Sequence, residues 1–98
     1  MATFITTTRF TQKGLQGIRE TGKRSAAFKA AAKKLGVKVT GVYWTLGAFD
    51  SLIIFDAPDE ETATAAMLSL AAEGNVTTTT ARAFAAGEIE KIVGMLGS

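Results

Sequence analysis

The chain contains no cysteine and no histidine. Without cysteine there is no disulfide and no thiolate nucleophile. Without either residue, zinc sites built on Cys or His, His-ligated haem and Ser-His-Asp triads fall away together. No transition metal and no other cofactor is expected. Any chemistry must come from Arg, Lys, Asp, Glu, Tyr, Trp, Ser or Thr. Long apolar runs are also missing, and none approaches the roughly 20 residues that span a bilayer. The first residues, Met1-Ala2-Thr3-Phe4-Ile5-Thr6-Thr7-Thr8, carry neither a basic leader nor an apolar h-region. The expectation is a cytoplasmic location with no membrane contact.

What is present suits one folded domain spanning residues 1–98. Hydrophobic residues make up 47% of the 98, too many for a disordered chain. The net charge of +2 is divided unevenly: residues 1–40 carry +8 and residues 41–98 carry −6. A basic docking surface is one reading of that split. The plainer one is a basic and an acidic helix lying side by side.

Thr3 to Phe10 is rich in Thr, Ile and Phe and reads as a first strand. Thr11 is a candidate N-cap for a helical stretch weakened by Gly14, Gly17 and Gly22, with a break expected near Gly22. A firmer helix then runs to Leu35, with Phe28, Ala31, Ala32 and Leu35 as its apolar stripe. Val37 to Leu46 is a second strand, placing Tyr43 and Trp44 on opposite faces. Gly47-Ala48-Phe49-Asp50 is a turn. Leu52-Ile53-Ile54-Phe55 is apolar on both faces, so this third strand should be central and covered on both sides. Pro58 and the acids Asp59, Glu60 and Glu61 open a helix whose buried stripe is Ala63, Ala66, Met67 and Leu70. Val76 to Phe84 is a fourth strand. Ala85 to Leu96 is a last amphipathic helix with Ile89, Ile92, Val93 and Leu96 on one face.

This order, β-α-β-β-α-β plus a C-terminal helix, predicts an α+β ferredoxin-like antiparallel sheet of strand order 4-1-3-2. Both main helices then lie on one face. The other face keeps half of the third strand and one aromatic of the pair Tyr43/Trp44, and a second copy of the chain is the expected main cover.

Gly17-Ile18-Arg19-Glu20-Thr21-Gly22-Lys23-Arg24 approaches a phosphate loop. Arg24 stands where the magnesium-holding hydroxyl is needed, so a Gly-broken helix explains the residues better. Nucleic acid is not an expected partner. The third strand, acidic at both ends and aliphatic between, lacks the aromatics on which bases stack. Arg9 and Arg82, on neighbouring strands, and the aromatics Tyr43 and Trp44 are the candidate ligand-binding residues. With Thr6, Thr8, Thr78 and Thr80 they offer a polar end to a pocket for an anionic or oxygenated small molecule. The plainer reading is that threonine favours strands and that both arginines end in water.

Thr11 with Gly14, the basic helix from Arg24, Leu46-Gly47-Ala48-Phe49-Asp50 between two strands, Ala57-Pro58-Asp59 and Gly74-Asn75-Val76 before the last strand form an ordered series. In this the chain resembles the GYD domain family, named for a Gly-x-Tyr-Asp-like hairpin. Its motif falls on Gly47, Phe49 and Asp50, with Phe49 in place of the tyrosine, which removes a phenolic hydroxyl. The resemblance implies a ferredoxin-like fold paired into a dimeric α+β barrel. That wider fold group holds cofactor-free monooxygenases, lactone isomerases, haem enzymes and simple regulators, and fold alone does not choose among them. The expectation is a homodimeric or larger small-molecule-binding or regulatory domain. The alternative is a cofactor-independent enzyme acting on a small apolar, oxygen-bearing substrate.

Overall fold

A computed structural model describes residues 1–97 of the chain. Four strands, β1 (Ala2–Phe10), β2 (Lys38–Trp44), β3 (Ser51–Ala57) and β4 (Val76–Ala83), form one antiparallel sheet of order β2-β3-β1-β4. Counted from the other edge this is 4-1-3-2. The helices are α1 (Gln12–Gln16), α2 (Thr21–Lys34), α3 (Glu60–Ala72) and α4 (Ala86–Gly94), with a 3₁₀ turn at Ile18–Glu20. Among the described residues no helix is long and apolar enough to cross a membrane.

Alternation along β1 and β3 separates the two faces of the sheet. Phe4, Thr6, Thr8, Ser51, Ile53, Phe55 and Ala57 are buried under the helices. Ile5, Thr7, Leu52 and Ile54 point the other way and stay half-buried. Phe55 is wholly buried and stacks on Phe4, with ring centroids 5.4 Å apart. Such a pair contributes about 0.5–1.5 kcal/mol beyond the area it hides. α3 presents Ala63, Ala66 and Met67 to this core, and α2 presents Ala32, with Phe28 packed alongside. The small residues let the helices lie close to the sheet.

Two local readings are corrected. The helical break comes at Gly17, where the 3₁₀ turn follows α1, and Gly22 lies inside α2. On α2, Ala31 and Leu35 are exposed, so the helix meets the core through a narrower stripe than its periodicity suggests. In β2 the register shifts between Val39 and Gly41. The extra residue of this β-bulge puts Val39 and Val42 on the same side of the sheet.

The molecule measures 55 × 31 × 18 Å with a radius of gyration of 15.0 Å. A compact chain of about 100 residues has roughly 13 Å. α4 leaves Ile89 and Val93 44% and 54% exposed. The helix is tied to the sheet through Arg82, which donates to Glu88 Oε2 at 2.9 Å.

Candidate functional site

One end of the molecule is held by a clamp built from three connections. Thr11 caps α1 through Gly14 N–H (3.1 Å) and donates its own hydroxyl to the carbonyl of Gly74 (2.6 Å). Its backbone N–H donates to the carbonyl of Asn75 at 3.0 Å, and Lys13 Nζ reaches the carbonyl of Glu73 at 2.6 Å. A side chain at Gly14 would start 2.1 Å from Asn75 O, so only glycine allows the α3–β4 turn to sit this close. Arg24 Nη1 adds a bond to Gly14 O from α2.

The β2–β3 hairpin joins the same end. Gly47 adopts φ +128°, a backbone region closed to most side chains. Asp50 accepts from Phe10 N–H at 2.8 Å, donates its N–H to Thr8 O, and receives Thr45 N–H on its carbonyl. One residue thereby ties the ends of β1, β2 and β3. The Phe49 carbonyl accepts from the Thr45 hydroxyl at 2.6 Å. Gly47, Phe49 and Asp50 therefore build the hairpin and its anchor to β1.

Between α2, α3 and the sheet, beside this clamp, lies a crevice of about 90 Å³. Its floor is apolar: Phe28, Val42, Ile53, Leu70 and Val76. Polar groups gather toward the clamp: Thr8 and Ser51, which share a hydroxyl–hydroxyl hydrogen bond, and Arg24, Glu73 and Asn75. Trp44 stands at the rim, half-exposed, and donates Nε1–H to the Thr21 hydroxyl at 3.0 Å. Asn75 Oδ1 is buried with no hydrogen-bond partner among the described residues. A buried acceptor left unpaired costs about 1–3 kcal/mol, which an ordered water or a ligand donor in the crevice offsets.

The family model of the GYD domain matches residues 4–93. The chain belongs to the GYD domain family. No curated protein and no solved structure matches it. In this GYD domain the residues of the name motif serve the architecture, as the hairpin bonds show.

The four candidate ligand residues do not converge. Arg9 lies opposite Thr77 on the open face, and Arg82 lies opposite Phe4 on the helix face, five residues further along β1. The pairing of neighbouring strands was legible, but the two arginines have opposite parity across it. Arg82 is fully engaged. It donates to Thr3 O, Ala83 O and Glu88, and its guanidinium lies over the rings of Phe4 (5.7 Å) and Phe84 (4.5 Å). Tyr43 is exposed on the open face, and only Trp44 reaches the crevice. Of the threonines, Thr6 is spent in the core, bonding Met67 Sδ (3.2 Å) and Thr80 (2.8 Å). Asn75 was missed because nothing local marks a carboxamide after Gly74 as anything but a turn residue.

Two carboxyls have displaced pKa values. The Thr62 hydroxyl and N–H hold Asp59 below its ordinary range, and the Ala85 N–H, then Arg82, do the same for Glu88. Both sit at helix starts, and neither lines the crevice. Among the described residues no group of three or more acids is placed to hold a metal ion.

Proposed function

We propose that this GYD domain is a small-molecule-binding protein whose ligand enters the crevice between α2 and α3. The unpartnered Asn75 Oδ1 carries the reading. It asks for an N–H or O–H donor, while Phe28, Val42, Ile53 and Leu70 ask for an apolar body. The cavity falls well below the roughly 300–1,000 Å³ of drug-sized sites, so the ligand is a compact one. The enzymatic alternative asks for an ionisable group with a displaced pKa at the crevice. The two such groups, Asp59 and Glu88, are helix caps elsewhere, which favours binding and a regulatory role.

The test is a fragment screen by amide NMR with small amides, alcohols and carboxylic acids. Shifts should cluster at Ser25, Phe28, Leu70, Asn75 and Val76, and Asn75→Ala should weaken the donor-bearing hits. Binding that maps instead to Ile5, Thr7 and Leu52 would move the site to the other face.

The same reading includes a ferredoxin-like fold closed by a second copy into an α+β barrel. Ile5, Leu52, Ile54, Tyr43 and Ala81 form one apolar patch on the open face, with Thr3 bonded to Asp56 at one end and Arg9 at the other. An apolar sheet face of this kind favours association over water. Sedimentation at micromolar concentration should give a dimer, and a monomer would end this part of the proposal.

A further inference from the structure

The last turn of the chain carries apolar surface that the rest of the fold does not use. Of thirteen large hydrophobic residues exposed among the described residues, five lie between Phe84 and Leu96. Ile89 and Val93 share one face of α4, and Met95 and Leu96 follow just past its end. The opposite face carries Glu90 and Lys91. Among the described residues, side-chain hydrogen bonds anchor the first turn of α4, by Glu88 to Arg82 and to the Ala85 N–H (3.1 Å). Ala85, with a methyl group, cannot return the bond that would complete a capping box.

Area indicates what covers this helix. Seven-residue strands at roughly 3.3 Å per residue, four abreast at roughly 4.8 Å, make an open face of about 450 Å² in projection. A stable interface takes about 800 Å² from each partner, so the sheet face alone falls short. Ile89, Val93, Met95 and Leu96, at roughly 60–120 Å² each, supply about 300 Å² more. The two surfaces together come to about 750 Å², inside the roughly 600–1,000 Å² per partner of a standard interface, and apart they fall below it.

We infer that α4 crosses to a second copy of the chain and packs its Ile89/Val93 face, with the Met95 and Leu96 that follow it, on the partner subunit, completing an interface that the open sheet face begins. This rests on the dimer proposed above, and the test separates the two. Full-length Val93→Asp and Ile89→Asp place a charge on the apolar face while leaving the sheet and α2–α3 core untouched. Each should raise the dimer dissociation constant about 100-fold or more with unchanged near-UV dichroism, because a desolvated apolar contact becomes a buried charge. Glu90→Lys, on the other face, should change it less than about threefold. Isotope-filtered NOEs on a mixed labelled and unlabelled wild-type dimer give a second readout. The Val93 and Ile89 methyls should show contacts to the unlabelled subunit. A monomeric wild-type chain overturns both the dimer and this inference. A dimer whose α4 methyls show only contacts within their own subunit, or whose affinity is unmoved by Val93→Asp, overturns this inference and leaves the sheet-face dimer standing.

Discussion

The two faces of the sheet are built from similar side chains and meet different fates. β3 sends Ile53 and Phe55 to one side, where they are buried, and Leu52 and Ile54 to the other, where they remain half-exposed. Along β1, Phe4 and Ile5 divide in the same way. The covered face also has its edges tied down, by the Thr11–Gly74–Asn75 clamp and by Asp50. The open face has the Thr3–Asp56 bond and the Thr40 hydroxyl on the Ile54 carbonyl beside its apolar patch, and α4 is tied to the sheet through its first turn. The chain thus covers one face of its sheet with its own helices and leaves the other face half-exposed. In a strand apolar at four successive positions this is a physical necessity, since successive side chains point to opposite faces and one layer of helices covers only one of them.

Substitutions on the two faces should separate stability from association. Phe55→Ala removes the largest buried ring and its stacking partner's contact, so urea unfolding should show a loss of about 3–5 kcal/mol, enough to unfold a marginal domain. An equal loss from Leu52→Ala would erase the distinction between the faces. Gly14→Ala forces a methyl into the Asn75 carbonyl and should cost about 1–3 kcal/mol. Gly22→Ala, in α2 with open space around it, should instead gain about 0.5–1 kcal/mol. If both glycines behave alike, the clamp is not what holds that end. Ile54→Asp should leave the unfolding free energy of the isolated subunit within about 1 kcal/mol while converting the proposed dimer to monomer in sedimentation. A folded, still-dimeric variant would place the interface elsewhere.

The smallest effect concerns the hinge of α4. Glu88 has its folded-state pKa below the ordinary 4.5, held there by the Ala85 N–H and by Arg82. A depressed carboxyl stabilises the folded state above the unfolded pKa, and that contribution is lost as pH falls through the folded value. Amide protection factors at Ala85 to Ile89, corrected for intrinsic exchange, should therefore fall below pH 4.5, with those of β1 and β3 unchanged. Glu88→Gln should remove the pH dependence. A fall in protection across the whole sheet would mean that α4 is part of the main cooperative unit.

Much of this architecture is legible in particular residues. The unbroken Leu52-Ile53-Ile54-Phe55 run marks a central strand, Thr11 and Asp59 mark helix starts, and Ala63, Ala66 and Met67 mark the buried stripe of α3, because caps and periodicities are local properties. The candidate site was far less legible. Arg9 and Arg82 stand on adjacent strands as expected, yet their faces depend on which residue of β4 opposes which of β1. That register is a long-range outcome.

The bulge in β2 shows where the division falls. Period-two alternation places Tyr43 and Trp44 on opposite faces, and the sequence alone determined that much. Which of them faces the helices depends on the extra residue between Val39 and Gly41, which pairs Tyr43 with Leu52 and Trp44 with Ser51. Without the bulge, Tyr43 would fall opposite Ser51 and turn toward α2. Composition by itself ruled out thiol, histidine and Cys/His-metal chemistry, since no fold can supply a side chain that is absent. Only the tertiary structure brought Asn75 beside Gly14, left its Oδ1 without a partner and opened a crevice next to it. Those features arise where segments some sixty residues apart in the chain come to lie within a hydrogen bond of each other, as Thr11 and Gly74 do. No local pattern encodes such a contact, because its energy exists only once the whole sheet has set the distance.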